Sequence, residues 1–196
     1  GFTMEGPEKR SLRHSERRAA REGACFEIVP AAQVPALMAE LRTVSDAWLH
    51  DKGQSEKAFS VGRFDPAYLS RFDCALVRHH GRIVAFANIW ATDNREELSV
   101  DLMRHLAETP YGTMDFLFVQ LMQWGRDQGY RWFNLGMAPL SGIESRRLAP
   151  MWARIGALLY RHGDAFYGFE GLRAYKDKFS PAWTARYIAA PPGLGL

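Results

Sequence analysis

An aspartate and an arginine stand three positions apart in a segment that otherwise has the pattern of a β-strand. Around Asp101 and Arg104, the apolar residues Leu98, Val100 and Leu102 alternate with polar ones, which predicts that the three share one face. In a regular strand, side chains three positions apart point to opposite faces. Asp101 and Arg104 can therefore face one cleft only if the strand bulges or ends between them, and bulges often re-aim side chains beside active sites. Taken alone, the pair is equally explained by ordinary polar residues at a strand end.

Such a pair could transfer a proton and bind an anion. A carboxylate can accept the proton of a hydroxyl or hold an ammonium group. A guanidinium can grip a phosphate or an oxyanion through two parallel hydrogen bonds. Elsewhere no residues have the spacing of zinc ligands, and no Ser or Cys lies in a nucleophile-elbow pattern. The sequence therefore predicts no metal site.

A short basic element near the start of the chain carries its whole surplus of charge. Residues 8–22 hold six Lys or Arg against three Glu, and the remainder balances at nineteen against nineteen. No helix breaker occurs from Ser11 to Glu22, which predicts a helix ending near Gly23. That helix is either solvated or binds a polyanion through one stripe of arginines at helical spacing: Arg10, Arg13, Arg17 and Arg21.

Length and composition predict one domain with a substantial hydrophobic core. The chain has 196 residues, of which 47% are hydrophobic. Cys25 and Cys74 lie in apolar-flanked runs, and we expect both to be buried, reduced thiols. No apolar run approaches the roughly 18–20 residues that cross a bilayer, and no signal-peptide pattern opens the chain.

The predicted order of elements is strand, helix, three meander strands, helix, strand, helix, strand. This order indicates an α+β protein with a central mixed, mostly antiparallel sheet flanked by helices. It matches the acetyltransferase-like (GNAT) fold, in which the fourth strand carries a bulge and the next helix begins at the phosphates of the acyl donor. The strands are expected at 25–29, 74–78, 83–90, 97–103, 131–135 and 183–189, and the helices at 34–48, 114–128 and 151–159.

The loop before the second of these helices is a poor cradle for coenzyme A. Acetyltransferases of this fold bind the pyrophosphate there with a Gly-rich loop whose backbone N–H groups meet the phosphates. Residues 109–113 contain one glycine, Gly112, and Pro110 has no N–H to donate. A different activated acyl donor is therefore expected.

Five segments, in order, resemble one family of enzymes. They are residues 11–13, 59–64, 97–104, 114–118 and 133–142. They are similar to the cytosolic catalytic part of bacterial aminoacyl-phosphatidylglycerol synthases, the lysyl- and alanyl-transferring enzymes of the multiple peptide resistance type. The likeness is to the second of two acetyltransferase-like halves. It implies a connector from a first half at 1–23, the acyltransferase domain at 24–190 and a tail at 191–196.

The resemblance implies the transfer of a lysyl or alanyl group from aminoacyl-tRNA to the glycerol hydroxyl of phosphatidylglycerol. That exchange of esters needs no cofactor. It would reduce the negative charge of the membrane and confer resistance to cationic antimicrobial peptides. The implied location is the cytoplasmic face of the bacterial cell membrane. The implied partners are aminoacyl-tRNA, phosphatidylglycerol, and a first acetyltransferase-like half and a membrane domain in the same protein.

Site residues follow from the chemistry and the resemblance together. Asp101, Arg104 and Lys176 are expected to matter for catalysis. Glu144 and Glu170 could meet the aminoacyl ammonium, and Arg173 and Lys178 could hold a phosphate. The other expected substrate-binding residues are Arg63, Ser99 and Asn134, and the phosphate-binding candidates of the basic stripe are Arg10, Arg13, Arg17 and Arg21.

Three other functions remain open. A tRNA-dependent peptidoglycan-bridge aminoacyltransferase uses a related fold but transfers to an amine. A coenzyme A-dependent acetyltransferase is disfavoured by the loop at Pro110. A basic module that tethers RNA or a membrane explains the arginine stripe but leaves Asp101 unexplained.

Overall fold

The computed structural model describes residues 2–53, 63–138 and 169–186, with only the backbone described at 169 and 170. The chain forms two compact units, Gly1–Gly136 and Met137–Leu196. Helices in the described ranges include none long and apolar enough to cross a membrane.

The first unit contains a sheet of five strands in the order β1-β2-β3-β4-β5. Strands β1 to β4 pair antiparallel, and β5 pairs parallel with β4. This arrangement confirms the α+β, acetyltransferase-like fold with a mixed, mostly antiparallel sheet. The strands are β1 (Ala24–Val29), β2 (Cys74–His79), β3 (Arg82–Ala91), β4 (Glu97–His105) and β5 (Trp132–Asn134).

Helices lie before, between and after these strands. The sequence predicted α1, α2 and α4 within a few residues, but Pro35 lies in a 3-10 segment, Ala31–Leu37, that precedes α2. Proline lacks the N–H that an interior helical position donates, so the regular helix begins after it. The helices of the first unit are α1 (Arg10–Arg21), α2 (Met38–Asp51), α3 (Pro66–Leu69) and α4 (Thr113–Asp127), and α5 (Phe169–Asp177) belongs to the second unit.

Helices cover both faces of the sheet. On one face, Leu41 of α2 packs in a buried cluster with Phe86 and Leu102. On the other face, Leu121 of α4 packs against Leu98. We call these the α2 face and the α4 face. Helix α1 packs on α4.

Strand β4 contains the expected bulge. Met103 pairs with Ala87 and Val100 pairs with Ile89, so two residues of β4, Asp101 and Leu102, lie opposite the single residue Asn88 of β3. Two residues against one is the definition of a β-bulge, and it leaves a ladder N–H without its usual partner. The buried side chain of Asn88 replaces that partner, because its Oδ1 accepts a hydrogen bond from the Leu102 N–H at 2.7 Å.

The bulge makes one predicted feature of β4 wrong. Leu98 and Val100 pack on the α4 face, but Leu102 packs on the α2 face. The extra residue changes the alternation, so the three apolar residues do not share one face.

The expectation for the two cysteines was half right. Both are free thiols, and Cys74 is buried, but Cys25 is exposed. Cys25 lies near the start of β1, which has a neighbour on one side only and is therefore less covered. Burial raises the pKa of the Cys74 thiol to about 12, so it stays protonated.

Two predicted elements are not among the described ones. The helix at 151–159 lies outside the described residues. Of the strand at 183–189, residues 183–186 are described and form no strand.

Candidate active site

The bulge brings the aspartate and the arginine to the same face of the sheet. Asp101 contacts Tyr68, which packs against the core of the α2 face. Arg104 pairs with Phe86, a core residue of that face, and its guanidinium lies over the Trp48 ring of α2 at 4.1 Å. The sequence allows Asp101 and Arg104 to face one cleft only if the strand bulges between them, and the structure meets this condition.

Asp101 is the last acceptor in a chain of hydrogen bonds, and the donor at its start determines the direction of the chain. The Trp90 indole N–H, which can only donate, donates to the Tyr68 hydroxyl oxygen at 2.9 Å. The Tyr68 O–H then donates to Asp101 Oδ2 at 2.8 Å. Burial raises the pKa of Tyr68, and the hydrogen bond to Asp101 raises it further. Tyr68 therefore keeps its proton at neutral pH and holds one oxygen of the Asp101 carboxylate.

The short helix α3 sets the position of Tyr68. Its N-cap is Asp65, whose carboxylate accepts the backbone N–H groups of Ala67 at 2.9 Å and Tyr68 at 3.2 Å. Chiefly because of the Tyr68 N–H, the pKa of Asp65 is lowered. The Tyr68 ring also packs on Phe72, with 4.9 Å between centroids. Arg63, an expected substrate-binding residue, is exposed and lies 3.4 Å from this capping carboxylate.

Three residues form one row across the sheet beside Asp101. Trp90 of β3 pairs with Ser99 of β4, and Ser99 pairs with Asn134 of β5. Ser99 Oγ donates to the Asn134 carbonyl at 3.0 Å. The Asn134 side chain donates to Glu97 Oε1 at 2.9 Å and accepts the Gly136 N–H at 2.7 Å. The structure therefore brings Ser99 and Asn134 to the face that carries Asp101.

In the second unit, the candidate cations lie on or next to α5. Lys176 is buried, and its Nζ donates to the Met137 carbonyl at 2.7 Å. Burial lowers the pKa of Lys176 to about 8. Arg173 pairs with Asp177 at 3.2 Å and lies 3.6 Å from the Trp183 ring. Lys178 lies 4.9 Å from the Tyr175 ring.

The N-terminus of α4, where acetyltransferases of this fold bind pyrophosphate, is closed by helix α1. A Cβ atom on Gly112 would lie 2.7 Å from Ser15 Cβ, so only glycine allows α1 this close. The Thr113 N–H bonds to the Pro110 carbonyl at 3.2 Å. The buried carboxyl group of Asp115 also lies in the first turn of α4, where its charge opposes a phosphate. These contacts support the expectation that the coenzyme A cradle is absent.

Helix α1 itself turns most of its arginines outward. Leu12 and Ala19 are fully buried, while Arg10, Arg17 and Arg21 are exposed. The exposed Arg18 lies over the ring of Tyr111 at 4.6 Å. Arg13, the fourth member of the predicted stripe, is half-buried and donates to the carbonyls of Met4 and Gly6.

Two of the expected substrate-binding residues have no described side chain. Glu144 lies outside the described residues, and Glu170 lies in α5, where only its backbone is described. In the described part of the chain, no group of three or more His, Cys, Asp or Glu side chains could hold a metal ion.

Sequence reasoning missed Tyr68, Trp90 and Asn88. Tyr68 and Asp101 are 33 positions apart, and no periodic pattern connects a tyrosine in a turn-rich stretch to a strand residue. The Asp65-Pro66 pair was a readable helix-start signal, but it says nothing of what the helix faces.

Comparison with known proteins points to one family. The family model described as phosphatidylglycerol lysyltransferase, C-terminal, matches residues 1–190. The phosphatidylglycerol lysyltransferase of Bacillus subtilis is 38% identical over 189 residues, which are 96% of this chain and 22% of that protein. That of Staphylococcus epidermidis is 35% identical, over 95% of this chain and 22% of that protein. The chain thus spans about a fifth of the length of these relatives.

Two solved structures are similar over 93% of this chain and 54% of their own. One is the C-terminal domain of a putative lysylphosphatidylglycerol synthetase from Agrobacterium fabrum, with 46% identity and a TM-score of 0.77. The other is L-PGS from Bacillus licheniformis, with 39% identity and a TM-score of 0.74.

Proposed function

Because the chain belongs to the family of phosphatidylglycerol lysyltransferase C-terminal domains, we propose that it transfers a lysyl group from lysyl-tRNA to the glycerol hydroxyl of phosphatidylglycerol. The observation that carries this proposal is the bulge in β4, with Asp101 held by Tyr68 on the face that also carries Arg104. An ester exchange needs a base for the hydroxyl and a cation for the oxyanion, and this pair supplies both.

In the proposed reaction, the glycerol oxygen attacks the carbonyl carbon of the aminoacyl ester. A bond forms between these two atoms, and the bond from the carbonyl carbon to the ribose oxygen breaks. Asp101 accepts the proton of the attacking hydroxyl and returns it to the ribose oxygen that leaves. Tyr68 fixes one carboxylate oxygen of Asp101, which leaves the other to meet the hydroxyl.

The cations have separate proposed tasks. Arg104 binds the lipid phosphate or the developing oxyanion, and the Trp48 ring beneath its guanidinium keeps that group in one orientation. Lys176 stabilises negative charge that develops in the reaction, and Arg173 and Lys178 contribute to phosphate binding. The lysyl ester of phosphatidylglycerol is less negative than phosphatidylglycerol, so the product would reduce binding of cationic antimicrobial peptides to the membrane.

The length of the relatives supports a larger protein around this segment. The chain spans 22% of the Bacillus subtilis relative. We therefore propose a first acetyltransferase-like half and a membrane domain in the same protein, with the reaction at the cytoplasmic face of the membrane.

The direct test is an assay of the complete gene product with labelled lysyl-tRNA and vesicles that contain phosphatidylglycerol. We expect label to appear in a lipid that alkali hydrolyses, as an ester requires, and mass spectrometry to identify lysyl-phosphatidylglycerol. Vesicles of phosphatidylcholine, which lacks the glycerol hydroxyl, are the control. No labelled lipid under any of these conditions would reject the proposed function.

The competing functions give different results in the same experiment. A peptidoglycan-bridge transferase would label an amine-bearing peptide through an alkali-stable amide. A coenzyme A-dependent enzyme would give saturable heat with acetyl-coenzyme A in calorimetry. We expect neither, and the closed N-terminus of α4 is the structural reason for the second.

We propose that the exposed arginines of α1 bind phosphates of the tRNA. A helix that lies on a membrane turns apolar side chains toward the lipid. The one large apolar side chain of α1, Leu12, is fully buried in the protein instead, as is Ala19. The exposed face of α1 carries arginines and no large apolar side chain that could enter a lipid layer. Beside Arg18 lies the ring of Tyr111, an aromatic ring of the kind on which RNA bases stack.

Neutralising Arg10, Arg17 and Arg21 together to Gln should weaken tRNA binding and flatten its dependence on salt. Each lost phosphate contact lowers the slope of log affinity against log salt by roughly 0.7–0.9, so the slope should fall by roughly 2–3. Fluorescence anisotropy with tRNA at several salt concentrations measures this. The matched control removes three exposed charges from other elements, in K52Q, R71Q and R126Q. An equal change in both triple variants would contradict the assignment, as would a change seen only with anionic vesicles.

A further inference from the structure

We propose that Glu97, with Trp90 and Trp132, forms a subsite that recognises the side-chain ammonium of the lysyl group. The proposal rests on the function proposed above and adds the basis of amino-acid choice. It concerns exposed side chains on the α2 face of the sheet, all within the first compact unit.

Strand register places these three side chains on the α2 face. Leu98 and Phe133 pair with each other and pack on the α4 face. Their neighbours Glu97 and Trp132, which also pair with each other, therefore point to the opposite face. Trp90 is on that face as well, because its indole N–H reaches Tyr68.

These side chains are accessible to a substrate. Trp90 is 39% exposed and Trp132 is 54% exposed, both unusually high for large apolar side chains. Glu97 is also exposed. A carboxylate beside two exposed indole rings is suited to a primary ammonium group, since tryptophan is the ring that attracts cations most strongly.

Hydrogen bonds hold the Glu97 carboxylate in place. Asn134 Nδ2 donates to Glu97 Oε1 at 2.9 Å, and Asn134 is itself tied to the Gly136 N–H. The carboxylate is therefore oriented before a ligand arrives, which lowers the entropic cost of binding. In this proposal Asn134 is a positioning residue.

The distance from Glu97 to Asp101 is within the reach of a lysyl group. Four steps along a strand, at about 3.3 Å each, separate the two residues by about 13 Å. The carbonyl carbon and the ε-nitrogen of an extended lysyl group are six bonds apart, about 7 Å. Three contacts of about 3 Å each add to this length: from Asp101 to the attacking hydroxyl, from that hydroxyl to the carbonyl carbon, and from the ε-nitrogen to Glu97. An extended lysyl group therefore reaches about 16 Å, which spans the separation of about 13 Å when the side chain bends. An alanyl group ends far short of Glu97.

The test compares two substrates in the complete gene product. Lysyl-tRNA and norleucyl-tRNA, prepared by chemical or ribozyme charging, differ by one charged terminal group on side chains of similar length. In E97Q, we expect the ratio of kcat/KM for lysyl over norleucyl transfer to fall roughly tenfold, as expected for loss of a hydrogen bond to a charged group. Glutamine keeps an oxygen that accepts from Asn134, so folding should survive, and thermal unfolding checks this.

The matched control is E108Q. Glu108 follows β4 and is exposed. We expect E108Q to leave the substrate ratio unchanged. An unchanged ratio in E97Q, or an equal fall in both variants, overturns the proposed subsite. In that case, lysyl-lipid synthesis by the wild type still supports the proposed function. Failure of the wild type to make any aminoacyl lipid rejects the proposed function itself.

Discussion

Replacing Asp101 with asparagine is expected to lower lipid aminoacylation by roughly 10²-fold or more, within the usual range for loss of a general base. Asparagine keeps the size of the side chain and can still accept the hydrogen bond from Tyr68, so the fold should be unaffected. The rate of lysyl-phosphatidylglycerol formation in the complete gene product, under single-turnover conditions, measures the chemical step. Thermal unfolding and tRNA affinity should stay near the wild-type values.

Two companion variants separate the parts of this site. Y68F removes the hydroxyl that orients Asp101, and a smaller loss than in D101N is expected because the base itself remains. R104K keeps the charge but loses the planar guanidinium over Trp48, so it should also be impaired if Arg104 makes two parallel hydrogen bonds to its anion. Near-normal transfer by both D101N and R104K, with tRNA binding intact, would remove the pair from the mechanism.

Loss of the Lys176 charge is expected to have the second large effect, and it should depend on pH. Burial lowers the pKa of Lys176 to about 8, so the ammonium that is proposed to stabilise negative charge is lost as pH rises through that value. Transfer, corrected for spontaneous ester hydrolysis, should fall over this range. K176M, which keeps the length of the side chain without its charge, should be slow at pH 7 by roughly 10²-fold and lack this alkaline fall.

A stability measurement checks the same lysine without reference to activity. Between about 8 and 10.5, the unfolded chain binds a proton at Lys176 that the folded chain has lost. The free energy of unfolding of the wild type should therefore rise with pH across this window relative to that of K176M. A difference in the free energy of unfolding between the two proteins that stays constant with pH would show that the pKa of Lys176 is not lowered. In the activity assay, a fall in transfer at alkaline pH that persists in K176M would assign that fall to another group.

The sequence was most informative where chemistry conflicted with periodicity. A regular strand cannot turn Asp101 and Arg104 to one face, so their spacing pointed to a bulge, and the pairing of β3 with β4 contains one at Asp101 and Leu102. The same local pattern could not say on which residue the bulge falls. Leu102 was consequently predicted on the wrong face.

Contacts between distant segments could not be predicted. The Tyr68 hydroxyl of α3 donates to Asp101, and the Trp90 indole of β3 donates to Tyr68, and the positions of α3 and β3 depend on the whole sheet. The stripe of α1 shows the same limit, since helical spacing grouped Arg13 with its neighbours although its guanidinium bonds to the carbonyls of Met4 and Gly6. Periodicity gives the angle of a side chain around a helix, and the surrounding chain decides what it touches.

The position of Leu102 couples the stability of this protein to its chemistry. The bulge puts Leu102 on the same face as Asp101 and Arg104, and this leucine is fully buried in the core. It therefore anchors β4 between the two polar side chains and limits how far either can move. Substitutions that loosen packing around Leu102 should broaden the range of positions that Asp101 and Arg104 sample. Catalytic geometry tolerates errors of only about half an ångström, so preorganisation would be lost well before the domain unfolds.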